Sequence, residues 1–213
     1  MKSLPAAALI LSAVLSAARP AAAAERAIDA EITVPAGVDA VWQAWTTRDG
    51  VRGFFAPDAH VEARVGGPFQ IYMDPGAEPG HRGADDMRFL ALQPPRMLSF
   101  DWNAPPHLAA VRQQRTVVIV RLHPQGSQST RVTLHHTGWG DGDEWDRAFQ
   151  YFDKAWPAVL GNLKLRFETG PKDWSPWLAQ LAEWRAQQAA KAAADAAAKA
   201  AADAAAKAAA GTK

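Results

Sequence analysis

Two adjacent histidines, His135 and His136, end an alternating run, STRVTLHHT, and are the first place in the chain where side chains suited to proton transfer stand together. An imidazole titrates near neutrality, so it can act as a general base or as a polar anchor for a ligand. Successive residues of a strand point to opposite faces, so only one of the pair faces inward. Parity with Val132 and Leu134 selects His136. The pattern places no second catalytic group beside it, so it is read as an interior histidine hydrogen-bonded to backbone where a hairpin meets a helix, at the mouth of a cavity.

The remaining polar motifs point to structure. His60, His81 and His107 are far apart in sequence and lack the short paired spacings of metal sites, so no metal is expected. Asp141, Asp143, Glu144 and Asp146 cluster where a long helix should begin, and negative charge there is favoured by the helix dipole and free N–H groups. The run DGDEWD lacks the twelve-residue frame of a calcium loop. No GxSxG, phosphate loop or GxGxxG occurs, and no cofactor is expected. There is no cysteine, which removes thiol chemistry and disulfides. Arg88, Arg112, Arg115, Arg121 and Arg131 are scattered over strands and loops, with outward placement the default.

What must position these groups is a helix. Trp145, Phe149, Phe152, Trp156, Val159, Leu160, Leu163 and Phe167 recur at steps of three and four, one apolar stripe on a long amphipathic helix. Pro157 removes a backbone donor within it and predicts a kink. The cover for the stripe comes from segments of period-two alternation. Residues 27–35 form the first; HVEARV, PFQIYM, MRFLALQ and RMLSFDW follow, and RTVVIVRLH and STRVTLHHT flank the turn PQGSQ as a hairpin. Val118, Val120 and Leu122 share one face with Val132, Leu134 and His136 across the hairpin; Leu98, Phe100 and Trp102 go together on another strand. Residues 38–46 read as a helix and VRGFFAP as a second helical turn, while residues 74–86 and 103–114 read as long loops, the first a mobile one. The fold class is α+β, a curved antiparallel sheet wrapped around a long C-terminal helix. The cavity-lining candidates are Trp102, Phe100, Val120, Leu134, His136, Trp145, Phe149 and Phe152, although core packing accounts for most of the tryptophans.

The two ends differ from the middle. Residues 1–24 carry Lys2, an apolar run and Ala22-Ala23-Ala24, the pattern of a cleaved secretory signal, which makes the protein periplasmic or secreted. Losing Lys2 and Arg19 takes the formal charge from +1 to −1, so nucleic acid is not an expected partner. No later segment is long and apolar enough to span a membrane. The globular domain is assigned to residues 25–170 and a tryptophan-containing amphipathic helix start to residues 171–188. Residues 189–213 repeat KAAADAAA, with Lys and Asp four apart on a solvated helix. Trp177, Leu178, Leu181 and Trp184 form a stripe expected to dock on the chain's own domain; the envelope or a second copy are the alternative surfaces.

The pieces VWQAWTTRDGVRGFFAP, VGGPFQIY, FLALQPPRMLSFDW, RLHPQGSQSTRVTLHHTGW and AWPAVLGNLK, in that order, resemble the activators of the heat-shock chaperone ATPase and their bacterial homologues. That family belongs to the START-like (SRPBCC) superfamily of polyketide cyclases, dehydrases and lipid-transfer proteins. The resemblance spans residues 27–168, with Phe54 where the family commonly carries tryptophan. It implies a helix-grip fold with a cavity between sheet and long helix, and so a hydrophobic ligand or a protein partner; fold does not fix function. The enzymatic alternative would pair His136 with Tyr72 or Asp101, but parity puts both opposite the inward residues. A non-enzymatic carrier is therefore the expectation. A chaperone-activating module is a third option, which an exported chain disfavours.

Overall fold

Alternating apolar residues build two antiparallel sheets in the computed structural model, which describes residues 25–210. The expected leader at residues 1–24 lies outside the described residues. The elements in chain order are β1 (Ile28–Val34), α1 (Val38–Thr46), α2 (Arg48–Arg52), β2 (Asp58–Val61), β3 (Phe69–Tyr72), β4 (Gly83–Ala84), β5 (Phe89–Gln93) and β6 (Met97–Trp102). Then come α3 (Ala109–Arg112), β7 (Thr116–Pro124), β8 (Thr130–Thr137), α4 (Asp143–Thr169) and α5 (Ser175–Ala210). The larger sheet has the order β1-β8-β7-β6-β5 and the smaller β2-β3-β4. Bonds from Phe69 N to Met87 O and from Phe89 N to Gly67 O stitch one to the other, so together they curve around α4. This is the helix-grip arrangement, and the fold class is α+β.

Register brings the inward residues into rows. Ile28 faces His136, His136 faces Val118, and Val118 faces Phe100. The next row runs Ala30, Leu134, Val120, Leu98 and Leu92. Most members of both rows are fully buried, and a one-residue slip would turn every one of them to solvent. Helix α4 lays Phe152, Trp156, Leu160 and Leu163 onto these rows, while α1 contributes Val41, Trp42 and Trp45 to the same core.

The expected bend at Pro157 does not interrupt α4, which continues through it as one 27-residue helix. Proline leaves the Asp153 carbonyl without a partner, and both residues are exposed, so water can satisfy that oxygen. The acidic cluster also differs from the capping expectation. Gly142, at φ 107°, is the N-cap and no side chain caps the helix. Glu144 instead accepts from Ala110 N in α3 at 3.0 Å, and Asp146 accepts from Arg26 at 2.6 Å. The second helical turn, expected at VRGFFAP, begins earlier as α2, because Thr47 caps it by accepting from Gly50 N.

Both stretches expected as loops carry regular structure. Residues 74–86 include β4, which pairs with β3, and residues 103–114 include α3. Both are held by a buried ion pair absent from the sequence reading, Asp85 with Arg112. The parity assignment itself has a direct test. Leu134→Ala should cost about 2–5 kcal/mol of unfolding free energy. His135→Ala should cost less than about 1 kcal/mol, because it removes only a surface pair with Asp29. Chemical denaturation of both variants measures the contrast, and equal midpoints would contradict the register.

Candidate ligand-binding site

A cavity of about 440 Å³ opens on one side of α4, within the range of roughly 300–1,000 Å³ typical of small-molecule sites. Its floor is Ile71 of β3, Met73 just beyond that strand, and Phe55, and its side is Tyr151, Phe152, Ala155, Trp156 and Val159 of α4. The loop of residues 102–107 forms the opposite side, and Trp177 and Leu181 of α5 lie across the top. The wall is mostly apolar because α4 and β3 each turn an apolar stripe to the same space.

Of the eight residues expected to line a cavity, Trp102 and Phe152 border this one. Phe100, Val120 and Leu134 lie behind it in the main core. Phe149 packs partly buried on that core, and Trp145 belongs to a smaller cluster with Ala104, Leu108, Val111 and Ala148. The alternation showed which side chains point inward; it carries no mark of whether that interior is filled.

His136 is inward, as parity required, but it is sealed and does not border the cavity. The rings of Trp139, Phe152 and Trp156 surround it, with centroids 4.2, 5.3 and 5.7 Å away. Its partners are side chains, not the backbone expected. Trp156 Nε1 donates to His136 Nδ1 at 2.9 Å. With Nδ1 accepting, the proton resides on Nε2, which donates to Thr116 Oγ1 at 2.7 Å. Thr116 in turn donates to the Trp102 carbonyl at 3.2 Å. Burial disfavours the charged ring, with a smaller contribution from His135, and lowers its pKa to about 3. A neutral imidazole with both nitrogens engaged is a structural strut. Tyr72, which donates to Gln70, and Asp101, which accepts from Arg88 N, are likewise committed elsewhere. These three groups do not form a site.

The polar rim is built by a clamp that sequence reasoning missed. Arg112 donates to the carbonyls of Gly80 at 2.6 Å and Gly83 at 2.8 Å, and also to that of Ala104. Asp85 accepts from Arg82 N at 2.8 Å and Arg82 Nε at 2.7 Å. Burial raises the Asp85 carboxyl, but the Arg82 guanidinium and the backbone N–H groups outweigh it and hold the pKa below the usual carboxylate value. Arg82 also stacks over Tyr72 at 4.0 Å. The clamp ties residues 80–85 to residues 104–112 and sets the shape of the mouth, where His81, Arg82, Asn103 and His107 stand. Among the described residues no group of His, Asp or Glu has metal-binding geometry.

The fold around this cavity is shared with known proteins. The family model described as activator of Hsp90 ATPase homolog 1-like protein matches residues 35–168. No curated protein matches the chain. Solved structures with the same fold include protein MLL2253 of Mesorhizobium loti, with 23% identity over 65% of this chain and 94% of that one and a TM-score of 0.53. The Aha1 dimer of Colwellia psychrerythraea has 21% identity over 68% and 98%, with a TM-score of 0.52. CalU16 of Micromonospora echinospora has 23% identity over 76% and 84%, with a TM-score of 0.51. Identities this low speak to the fold alone.

The histidine strut makes stability depend on pH. The unfolded chain protonates His136 near 6.5 and the folded one near 3, so between these values the unfolded state binds more protons. Stability contributed by the neutral ring is complete above about pH 6.5 and falls, by on the order of 1 kcal/mol per pH unit, as pH drops toward 3. In His136→Gln that part of the slope should vanish in urea titrations at stepped pH. Nitrogen-15 shifts of the wild-type ring should stay neutral, protonated at Nε2, at pH 5; titration near 6.5 would refute the assignment.

Proposed function

We propose, from the premise that the chain belongs to the family of activator of Hsp90 ATPase homolog 1-like proteins, that it is an exported binding protein holding a small hydrophobic molecule between α4 and the smaller sheet. The observation that carries this reading is the apolar cavity of about 440 Å³. A family fold that binds ligands or partners supports it, as does the engagement of the two formally charged groups at the cavity, Asp74 and Arg82, in structural contacts. Asp74 is paired with Arg185 and Arg82 with Asp85, so both charges serve the frame. What remains to meet an occupant is largely aromatic and aliphatic surface, which favours a compact apolar body over a highly charged one.

The neutral fluorophore N-phenyl-1-naphthylamine tests this. The full chain should take it up with enhanced emission, and Ala155→Phe, which puts a ring into the cavity wall, should weaken uptake about tenfold, roughly 1.4 kcal/mol. Circular dichroism would confirm that the variant is folded. Undiminished uptake by a folded Ala155→Phe protein would remove the cavity from consideration.

Export rests on the leader pattern of residues 1–24. Protein recovered from an expressing bacterium should begin at Glu25 and leave the cells with the periplasmic fraction. An intact amino terminus in the cytosol would end that part of the proposal.

A further inference from the structure

We infer that the first turns of α5 are the outer wall of the ligand site, and that a molecule enters or leaves the cavity when this segment undocks. The inference rests on the cavity reading above. Trp177 and Leu181, one helical turn apart, both border the cavity, so an occupant meets them as well as α4. The family match ends at residue 168, so this roof lies outside the matched span.

Three polar contacts bracket the roof. Trp174 Nε1 donates to Arg52 O at 2.6 Å and Trp177 Nε1 donates to Met73 O at 2.7 Å. One turn beyond Leu181, Arg185 pairs with Asp74, and its guanidinium lies over Gly76, where a Cβ would collide with it. All of these contacts are at the surface. The side chains of the ion pair are 39% and 19% exposed, and Trp177, Leu178 and Trp184 keep 37–55% of their surface in water even when docked.

So little apolar burial distinguishes the roof from α4, whose stripe is sealed against the sheet. A segment held by few, solvent-reachable contacts opens without global unfolding. The tether is short, since α4 ends at Thr169 and α5 starts at Ser175, so an undocked helix stays close and redocks readily. Residues 186–204 and Lys207 are all exposed. The remaining helix therefore adds no grip on the domain and leaves the opening governed by residues 174–185.

The test uses the full chain, whose lack of cysteine allows a clean staple. Asp74→Cys with Arg185→Cys, joined by bismaleimidoethane, fixes α5 over the cavity. Release of N-phenyl-1-naphthylamine, followed by stopped flow, should slow at least about tenfold against the same protein left unjoined. Independently, Arg185→Asp should speed release several-fold, and adding Asp74→Arg should bring it back to within about twofold of the wild type, as paired reversal of an ion pair requires. Equal release with and without the staple, or a charge reversal that its partner does not correct, would overturn the gating role. No uptake by the unstapled wild-type chain would overturn the cavity reading itself, a result distinct from uptake that ignores the staple.

Discussion

The contact on which the rest of this structure depends is the neutral imidazole of His136 locked between a helix and a sheet. A buried polar ring is tolerable only when both nitrogens find partners, and here one partner comes from each layer: Trp156 on α4 and Thr116 on β7. That requirement fixes the rotation of α4 about its axis and its height over β8. It also fixes Trp156, whose indole is a wall of the cavity, and through Thr116 it reaches the Trp102 carbonyl at another wall. The most conspicuous candidate for chemistry is thus a strut that sets the positions of two aromatic walls, Trp156 and Trp102, which are themselves part of the core.

How far the chain could be read in advance follows from what alternation encodes. The rows of β7 and β8, the apolar stripe of α4 and the inward choice of His136 over His135 were all legible, because each is a short-range periodicity that the packed layers preserve. The cavity was not. Phe100 and Trp102 have the same inward parity and similar burial, yet only Trp102 borders open space. Trp102 ends β6 and meets the cavity together with residues 103–107, Ile71 and α4, whereas Phe100 lies two residues deeper in the core. No local pattern records that meeting of distant segments.

The clamp at the mouth illustrates the opposite failure. Asp85 and Arg112 lie in stretches rich in glycine, proline and polar residues, which signal loops, and nothing in either stretch announces the other. Burying this pair is costly unless the remaining donors and acceptors are satisfied. The carbonyls of Gly80, Gly83 and Ala104 and the N–H of Arg82 do so. A glycine such as Gly83, at φ 146° against β3, suits the close backbone approach that lets β4 pair there. Two stretches that read as loops in sequence become a structured rim because their charges answer each other across it.

The tail extends this contrast between pattern and placement. Alanine with Lys and Asp four apart guarantees helix, but such a surface carries no apolar seam and so specifies no docking position. The position comes from Trp174, just before the helix, and from Trp177, Leu181 and Arg185, which share a face within three turns of its start. Docked residues and solvated repeat belong to one continuous helix, α5, so the repeat is mechanically joined to the roof. Any tilt imposed on the exposed length must therefore be resisted by the Asp74–Arg185 pair and two indole hydrogen bonds, contacts far weaker than the helix that links them.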